Sequence, residues 1–479
     1  MGGPLSIFRK VVEFYKDPDY FTNLQKIAFP IMLQQLVFAG LNMLSGILVG
    51  QKGDASVAAV GLAGQIAFLL NLVHFGIISG AAMFTAQFWG RRDIPNLRRV
   101  LGLCLMLALS ASLIFFALAQ FLPSQILSIY SKDPLVIELG ARYIRTFSWT
   151  FLFVAITFSY ALVMRSTGNV KLPTTVSVGA LLISTFLSYS LIFGKFGLPE
   201  LGIQGAAVAM VIARFLECVT LLTIIYTRGS PVAASFRELT GFDRVFFGRV
   251  IKPMLPVMLN ELFWSLGITA YNVIYGNMGT QSYAAINIVS TIEQVAFAVF
   301  MGVSNATSVL VGNRIGAGKE DEAYRYAGRS LGLGVVGGIF LGILLHFIKA
   351  PVLALGWNKV SPEVLQNASS LLTIVSLFLW VRVNNMTTVV GILRAGGDTR
   401  FSLFLDGLII WIVGVPMAYL GAFVFHLPVY FVYLFAMSEE AAKWILGINR
   451  YLSRKWINNL TMHVEGLEAG SAPVEGPIL

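Results

Sequence analysis

Several carboxyl groups in the second half of the chain lie inside long apolar runs, where ionisable side chains are rare. Glu261 and Glu293 lie near the middle of two such runs, and Asp406 lies near the start of another. A charge at the centre of a bilayer costs about 2.5–3.5 kcal/mol on insertion scales, so such residues are retained for function. Binding and release of Na⁺ or a proton is the chemistry they offer. We therefore predict that Glu261, Asp406 and Glu293 couple transport to an ion.

Glu261 is the strongest of these candidates. Pro256 precedes it by five residues, and a proline frees a backbone carbonyl that could coordinate a cation or bend the helix. Na⁺ at Glu261 is the one metal ion that the sequence leads us to consider. The structural alternative is a buried ion pair between Glu261 and Arg382, which would only hold helices together.

Polar residues near the proposed ion site complete the candidate set. Asn384 and Asn385 could supply the oxygen ligands that a hard cation prefers, and Arg382 could hold one carboxylate ionised. Asp406 could hydrogen-bond to Glu261 or to Arg382, and Glu293 could face the same cavity, whereas a structural ion pair explains either residue about as well.

Two further acidic residues, Glu439 and Glu440, lie four and three residues before Lys443, respectively. Side chains at this spacing meet on a helix, so pairs within the helix are the simplest interpretation. Arg214 and Glu217 have the same spacing and the same interpretation.

Aromatic side chains surround Glu261 along the chain. Aromatic faces attract organic cations, so Trp264, Tyr271 and Phe297 are candidates for a substrate cavity. Gln35 joins them as the residue that matches Glu261 in the repeat described below. Ordinary helix packing is the alternative for each aromatic residue.

The composition places these residues in a membrane protein. The 479 residues are 56% hydrophobic and only 12% charged, about half the charge of a soluble domain, with a mean hydropathy of +0.76. This excludes a soluble enzyme, a disordered scaffold and a nucleic-acid partner, despite a net charge of +10. Cys104 and Cys218 lie in apolar runs and form no disulfide framework, and the four histidines have no metal-ligand spacing.

Twelve apolar runs are long enough to cross a bilayer as helices. They cover residues 24–50, 56–88, 98–121, 136–165, 172–194, 203–227, 246–276, 281–312, 323–348, 362–394, 401–425 and 428–451. With the N-terminus inside, 25 Lys and Arg residues fall on the cytoplasmic side and 5 on the other. This predicts an all-α polytopic protein of the inner (plasma) membrane with both termini cytoplasmic.

The two halves of the chain are copies of one another. At a shift of 226 residues Pro30, Met32 and Leu33 match Pro256, Met258 and Leu259, and at 229 "RSTGNVK" from Arg165 matches "RAGGDTR" from Arg394. Six spans per half predict two parallel repeats, a transporter architecture. We predict an N-terminal segment at 1–23, an N-lobe at 24–227, a linker at 228–245, a C-lobe at 246–451, and a largely disordered cytoplasmic tail at 452–479.

Four segments, "PIMLQQL", "PVMLNEL", "AAMFTAQFWGRRD" and "LRAGGDTRF", resemble the multidrug and toxic compound extrusion (MATE) family, and within it NorM-type bacterial members. The resemblance covers roughly residues 20 to 455. It implies a V-shaped pair of lobes and an antiporter, not an enzyme, that exports bulky, often cationic, amphiphilic compounds in exchange for Na⁺ or H⁺. It also implies a monomer in the lipid bilayer with no cofactor.

The chain departs from this family at two places. NorM-type members carry an aspartate in the tenth span, where this chain has Arg382, Val383 and Asn384. Members coupled through the first half carry an aspartate in the first span, where this chain has Asn42 and Ser45. The second half is therefore the remaining place for ion coupling, and Na⁺ and H⁺ are the two candidate ions.

Two other functions remain as alternatives. A flippase for a lipid-linked saccharide or peptidoglycan precursor would keep the fold, but it favours a basic cavity, whereas the buried charge here is mainly acidic. A membrane-embedded enzyme would need a metal-binding helix, a serine–histidine pair or paired intramembrane aspartates, and none is visible.

Overall fold

The computed structural model describes residues 15–357 and 360–464, with only the backbone at 42, 43, 54, 355, 463 and 464. Twelve helical segments, α1 to α12, coincide with the twelve apolar runs. Those of the first half are α1 (Pro18–Gly50), α2 (Asp54–Arg91), α3 (Ile94–Phe121), α4 (Pro134–Phe147 and Trp149–Ser166), α5 (Lys171–Phe193) and α6 (Ile203–Thr227). Those of the second half are α7 (Arg244–Asn277), α8 (Thr280–Gly316), α9 (Glu320–Gly356), α10 (Pro362–Arg394), α11 (Thr399–Val424) and α12 (Val429–Ala436 and Ser438–Leu452). Short helices cover Pro123–Ser128, Phe236–Leu239 and Leu460–Val464, and the described ranges contain no strand.

Ten of these segments are long and apolar enough to cross a membrane, and α7 and α12 are the two that are not. α12 is interrupted at Met437, which leaves two short pieces. α7 is 34 residues long, so its composition, and not its length, is the reason that it falls short of a membrane-spanning helix. The two segments that fall short carry Glu261, Glu439, Glu440 and Lys443, the polar residues of the site described below.

The described residues form two compact units, which we call the C unit (residues 15–32 and 255–464) and the N unit (residues 33–254). The boundaries fall inside α1 and α7, close to Pro30 and Pro256, rather than in the segment 228–245. The sequence-based lobe boundaries therefore remain a description of the repeat, whereas the contacts assign the start of α1 to the C unit.

Residues 15–32 are held in the C unit by a buried tyrosine and an ion pair. The hydroxyls of Tyr20 and Ser330 lie 2.7 Å apart, and the Tyr20 and Tyr326 ring centroids are 4.9 Å apart. Asp17 forms an ion pair with Arg329 just before α1 begins. These contacts explain why the first half of α1 packs with the second half of the chain.

The segment 228–245 packs onto α3 within the N unit. Arg98 donates to Glu238 at 2.5 Å and to the Pro231 carbonyl at 3.0 Å. Gly102 lies so close to the Leu239 carbonyl that a β-carbon there would overlap it. The predicted linker is therefore fixed along its length to the N unit.

The same helix pairs pack in both units, which agrees with the duplicated sequence. In the N unit α2 packs on α3 and on α4, and α5 packs on α6. In the C unit α8 packs on α9 and on α10, and α11 packs on α12. The predicted all-α fold of two six-helix repeats is confirmed.

The part of the predicted tail that the structure describes is ordered. Trp456 is fully buried and donates from Nε1 to the Tyr451 carbonyl at 3.1 Å, and the Asn458 amide donates to the Gly396 carbonyl at 2.8 Å. Trp456 anchors residues 453–464 to the loop after α10, and the prediction of a largely disordered tail concerns the rest of the segment. Residues 465–479 lie outside the described residues.

Candidate functional site

Eight charged side chains meet inside the C unit, and we call them the charged cluster. Five are carboxylates and three are cations, they come from α7, α8, α10, α11 and α12, and ion pairs link them. The members are Glu261, Glu293, Asp406, Glu439, Glu440, Arg382, Arg394 and Lys443. All three predicted ion-coupling carboxylates belong to it.

Glu261 pairs with Arg394. The Arg394 Nη2 lies 2.7 Å from Glu261 Oε1, and the two residues are 8% and 3% exposed. The alternative of an ion pair between Glu261 and Arg382 is not what the structure shows, because Arg394 takes that place. The reason is local: the last two turns of α10, Thr387–Arg394, form a π-helix, whose wider turn ends with Arg394 inside the unit.

Asp406 contacts neither Glu261 nor Arg382, so that expectation was wrong. Its Oδ2 accepts from Asn260 Nδ2 at 3.0 Å, and its Oδ1 lies 3.2 Å from Lys443 Nζ. Asp406 lies in a π-helical segment of α11, Leu403–Leu408. Asn260 neighbours Glu261 in the chain, so Asp406 reaches the Glu261 site through Asn260.

The two adjacent glutamates of α12 face different partners. Glu439 Oε1 lies 3.6 Å from Lys443 Nζ, which confirms the predicted pair within the helix. The same expectation was wrong for Glu440, whose Oε2 accepts from Asn385 Nδ2 at 2.7 Å and whose Oε1 lies 3.6 Å from Arg382 Nε. Both spacings bring side chains close together on a helix, but Glu440 is taken by Asn385 and Arg382 of α10, so Lys443 pairs only with Glu439.

Arg382 is held by Glu293 on α8. Its Nη1 lies 2.5 Å from Glu293 Oε1, which also accepts from the Tyr433 hydroxyl at 2.8 Å. The guanidinium lies 4.7 Å above the centre of the Phe297 ring. This arrangement supports the prediction that Arg382 sits beside a carboxylate, with Glu293 as the partner.

Two amides and an aromatic residue lie around this part of the cluster. Asn385 Nδ2 donates to the side chain and to the backbone carbonyl of Glu440, whereas Asn384 Nδ2 donates to the Trp380 carbonyl in its own helix. The Oδ1 atoms of both asparagines are buried without a hydrogen-bond donor among the described residues. Their proposed role as oxygen ligands stays a prediction.

The predicted substrate residues are spread over the molecule. Trp264 is exposed, Tyr271 is buried against Gly414, and Phe297 is covered by Arg382. Gln35 is half-buried and lies in the N unit. Their roles in substrate binding stay predictions.

The sequence analysis missed Arg394, Asn260, Tyr433 and Gly414 as parts of the site. A signal existed for Arg394, because its segment matches the one that begins at Arg165. Asn260 and Tyr433 gave no signal, since an amide and a tyrosine are common in transmembrane segments. Gly414 is visible only as a close approach in the folded chain.

The N unit contains a corresponding but differently charged arrangement. Arg165 Nη2 donates to Gln34 at 2.8 Å, and Gln34 neighbours Gln35, the repeat partner of Glu261. Glu217 accepts from Ser177 at 2.5 Å and lies 2.7 Å from Arg214. α6 and α12 begin 226 residues apart, at Ile203 and Val429, which aligns Glu217 with Lys443.

Among the described residues no group of three His, Cys, Asp or Glu side chains could hold a metal ion. In the charged cluster each of the three cations lies against at least one carboxylate. Such an arrangement can exchange protons or monovalent cations when one of its pairs opens.

Helices of membrane-spanning length, two internal repeats and buried charges define a multi-pass membrane transporter. The family model MatE matches residues 30–190 and 256–420, so the two matches fall on the two repeats. The chain belongs to the MatE family.

Relatives and solved structures agree with this assignment. A probable multidrug resistance protein NorM of Burkholderia pseudomallei is 30% identical over 83% of this chain and 85% of its own length. Another probable multidrug resistance protein NorM, from Thermotoga maritima, is 23% identical over 94% and 96%. The crystal structure of a mutant of the Vibrio cholerae MATE transporter VcmN is similar in fold, with a TM-score of 0.84 and 18% identity over 92% of this chain and 98% of that one.

Proposed function

We propose that this protein exports bulky amphiphilic, often cationic, organic compounds by alternating access of its two repeats, in exchange for Na⁺ or H⁺, and that carboxylates of the C unit couple the two fluxes. The NorM relatives are named probable multidrug resistance proteins, which supports drugs as substrates, and we propose dyes and toxins as further members of the same class. The buried ionisable residues support ion coupling.

The charge of the cluster is the observation that carries this proposal. Five carboxylates face three cations, so the fully ionised cluster is short of two positive charges. Buried carboxylates without a counter-charge are expensive, which favours uptake of protons or other monovalent cations. One charge that crosses a membrane at roughly 150 mV gains about 3.5 kcal/mol, enough for a concentration ratio of a few hundred.

The same charge balance argues against the flippase alternative. A pyrophosphate head group needs unengaged basic side chains, but Arg382, Arg394 and Lys443 all lie within 3.6 Å of carboxylates.

Ethidium efflux from proteoliposomes tests the proposal. A Na⁺ gradient and a pH gradient are imposed separately on the wild type, on Glu261→Gln and on Glu217→Gln. The last variant is a matched control, because Glu217 is equally buried but lies in the N unit. We expect one gradient to drive efflux in the wild type and the control, and Glu261→Gln to uncouple it. Wild-type protein that moves no organic cation under either gradient would refute the proposal.

A further inference from the structure

Glu439 has an unusual environment for a buried carboxylate. It is 4% exposed and lies in the first turn of the second segment of α12, directly after the interruption at Met437. Its Oε1 is 3.6 Å from Lys443, and its Oε2 is fully buried without a hydrogen-bond donor. Among the carboxylates of the described ranges, Glu439 alone has such an oxygen.

The Tyr271 hydroxyl on α7 lies beside this oxygen, and it also has no hydrogen-bond partner among the described residues. Both atoms approach Gly414 on α11 so closely that a β-carbon there would overlap both. Because the two atoms lie side by side, the hydroxyl can donate to an ionised Oε2 or accept from a protonated one, so together they form a buried pair that can hold a proton.

The negative charge around Glu439 is also only partly balanced by cations. Lys443 is 2% exposed and is shared by Asp406 at 3.2 Å and Glu439 at 3.6 Å. One ammonium group cannot neutralise two carboxylates, and a buried carboxylate in that position usually takes a proton. Glu440, a third acidic residue near Lys443, contacts Asn385 and Arg382 and adds a further negative charge.

We propose that Glu439, with Tyr271 and Lys443, is a proton-binding site of this transporter. The proton comes from the water on one side of the membrane, binds Oε2, and returns to water on the other side. On Oε2 it neutralises the excess charge around Lys443 and supplies a donor for the Tyr271 hydroxyl. This inference rests on the proposed function, because it names the proton as the coupling ion and Glu439 as its carrier.

A proton fits this site better than a metal cation. A hard cation takes several oxygen ligands, whereas Tyr271 and Glu439 offer one buried oxygen each beside Gly414. The site is also linked to the neighbourhood of Glu261. Asp406 contacts both Lys443 and Asn260, and Asn260 precedes Glu261 in the chain. Protonation of Glu439 leaves Lys443 to Asp406 alone, and this changes the contact next to the Glu261–Arg394 pair.

Two transport assays on the reconstituted full chain, with ethidium as the probe, test this inference. The first is efflux driven by a pH gradient, and the second is ethidium exchange without any gradient, which needs no net proton movement. We expect Glu439→Gln to lower pH-driven efflux by about tenfold or more and to leave exchange within about twofold of wild type. The matched control Glu217→Gln keeps both activities.

Binding gives an independent readout. The ethidium Kd of the wild type changes with pH by up to about tenfold per unit, the limit for one linked proton, whereas that of Glu439→Gln is constant. If Glu439→Gln does not fold, Tyr271→Phe serves instead, and we expect it to shift the pH of the transition.

The outcomes separate the two proposals. Glu439→Gln protein with wild-type pH-driven efflux, or a pH transition unchanged in Tyr271→Phe, overturns the proton site. Wild-type efflux driven only by Na⁺ also overturns the proton site and leaves the proposed function intact. Wild-type protein that neither binds nor moves ethidium and other organic cations overturns the proposed function itself.

Discussion

Arg394 Nη2 lies 2.7 Å from Glu261 Oε1, and this contact joins the end of α10 to the middle of α7. The N unit makes a similar contact 2.8 Å long between Arg165 and Gln34, at the matching end of α4 and the matching part of α1. The arginine therefore serves the fold of both repeats, whereas the carboxylate is specific to the C unit. A group that only one repeat carries is the better candidate for ion coupling.

Removal of Glu261 should cost more stability than its neutralisation. Glu261→Ala removes the carboxylate that lies 2.7 Å from the buried Arg394, and breaking such a buried pair costs about 3–5 kcal/mol. Glu261→Gln keeps an acceptor and should cost less. Thermal unfolding of the purified protein in detergent measures both, and the double variant Glu261→Gln/Arg394→Gln should be more stable than Glu261→Ala. Equal Tm values for all three variants would contradict a structural role of this pair.

Substitution of Lys443 should lower the stability of the protein more than substitution of any other residue of α12. Lys443→Met removes the cation that the partly exposed Asp406 and the buried Glu439 share, so we expect a loss of about 3–5 kcal/mol. Glu439→Gln added to Lys443→Met removes one of the two charges and should restore part of the Tm. Arg142→Met is the control, because Arg142 is an exposed cation in a surface pair with Glu138 and should change stability by less than about 1 kcal/mol. A double variant less stable than Lys443→Met would count against charge repulsion as the cause.

Gly414 should not tolerate a β-carbon. Gly414→Ala places a methyl group onto the Tyr271 hydroxyl and the Glu439 carboxylate, so overpacking should cost about 1–3 kcal/mol. Gly276→Ala is the matched control, since no atom lies within 4 Å of the position of its β-carbon. We expect a lower Tm for Gly414→Ala alone. If Gly414→Ala had the same Tm as wild type, Tyr271 of α7 and Glu439 of α12 would lie farther from Gly414 than the structure shows.

The segment 228–245 should loosen in acid. The Ser235 amide and hydroxyl, and then Arg98, hold the pKa of the Glu238 carboxyl below its usual range. A lowered pKa in the folded protein stabilises the fold above the unfolded pKa, and the contribution disappears as the pH falls through the folded value. Amide hydrogen exchange of residues 228–243, corrected for the intrinsic rate, should therefore rise in acid.

Glu238→Gln should reproduce this effect at neutral pH by removing the charge. Glu138→Gln is the control, because Glu138 lies in an exposed pair on α4, away from the segment. Unchanged exchange in Glu238→Gln would mean that the Pro231 and Leu239 contacts with α3 are sufficient to hold the segment.

Composition and periodicity were sufficient to predict several features of this protein. Twelve apolar runs, their duplication at shifts of 226 and 229, and the family all follow from patterns that repeat along the chain. Glu261, Glu293 and Asp406 were also found from sequence, because a carboxylate in an apolar run is rare and costly. The pair of Glu439 with Lys443 followed from helical spacing alone.

Which charged side chains contact one another depends on the tertiary structure. Arg394 reached Glu261 at the end of a π-helical segment of α10, whereas Arg382, in the α-helical part of α10, reached Glu293 through the packing of α8 on α10. The unpartnered Glu439 oxygen depends on the close approach of α7, α11 and α12 at Gly414. Periodicity specifies which residues share a helix face, whereas packing between helices distant in sequence specifies which atoms lie within 3 Å of one another.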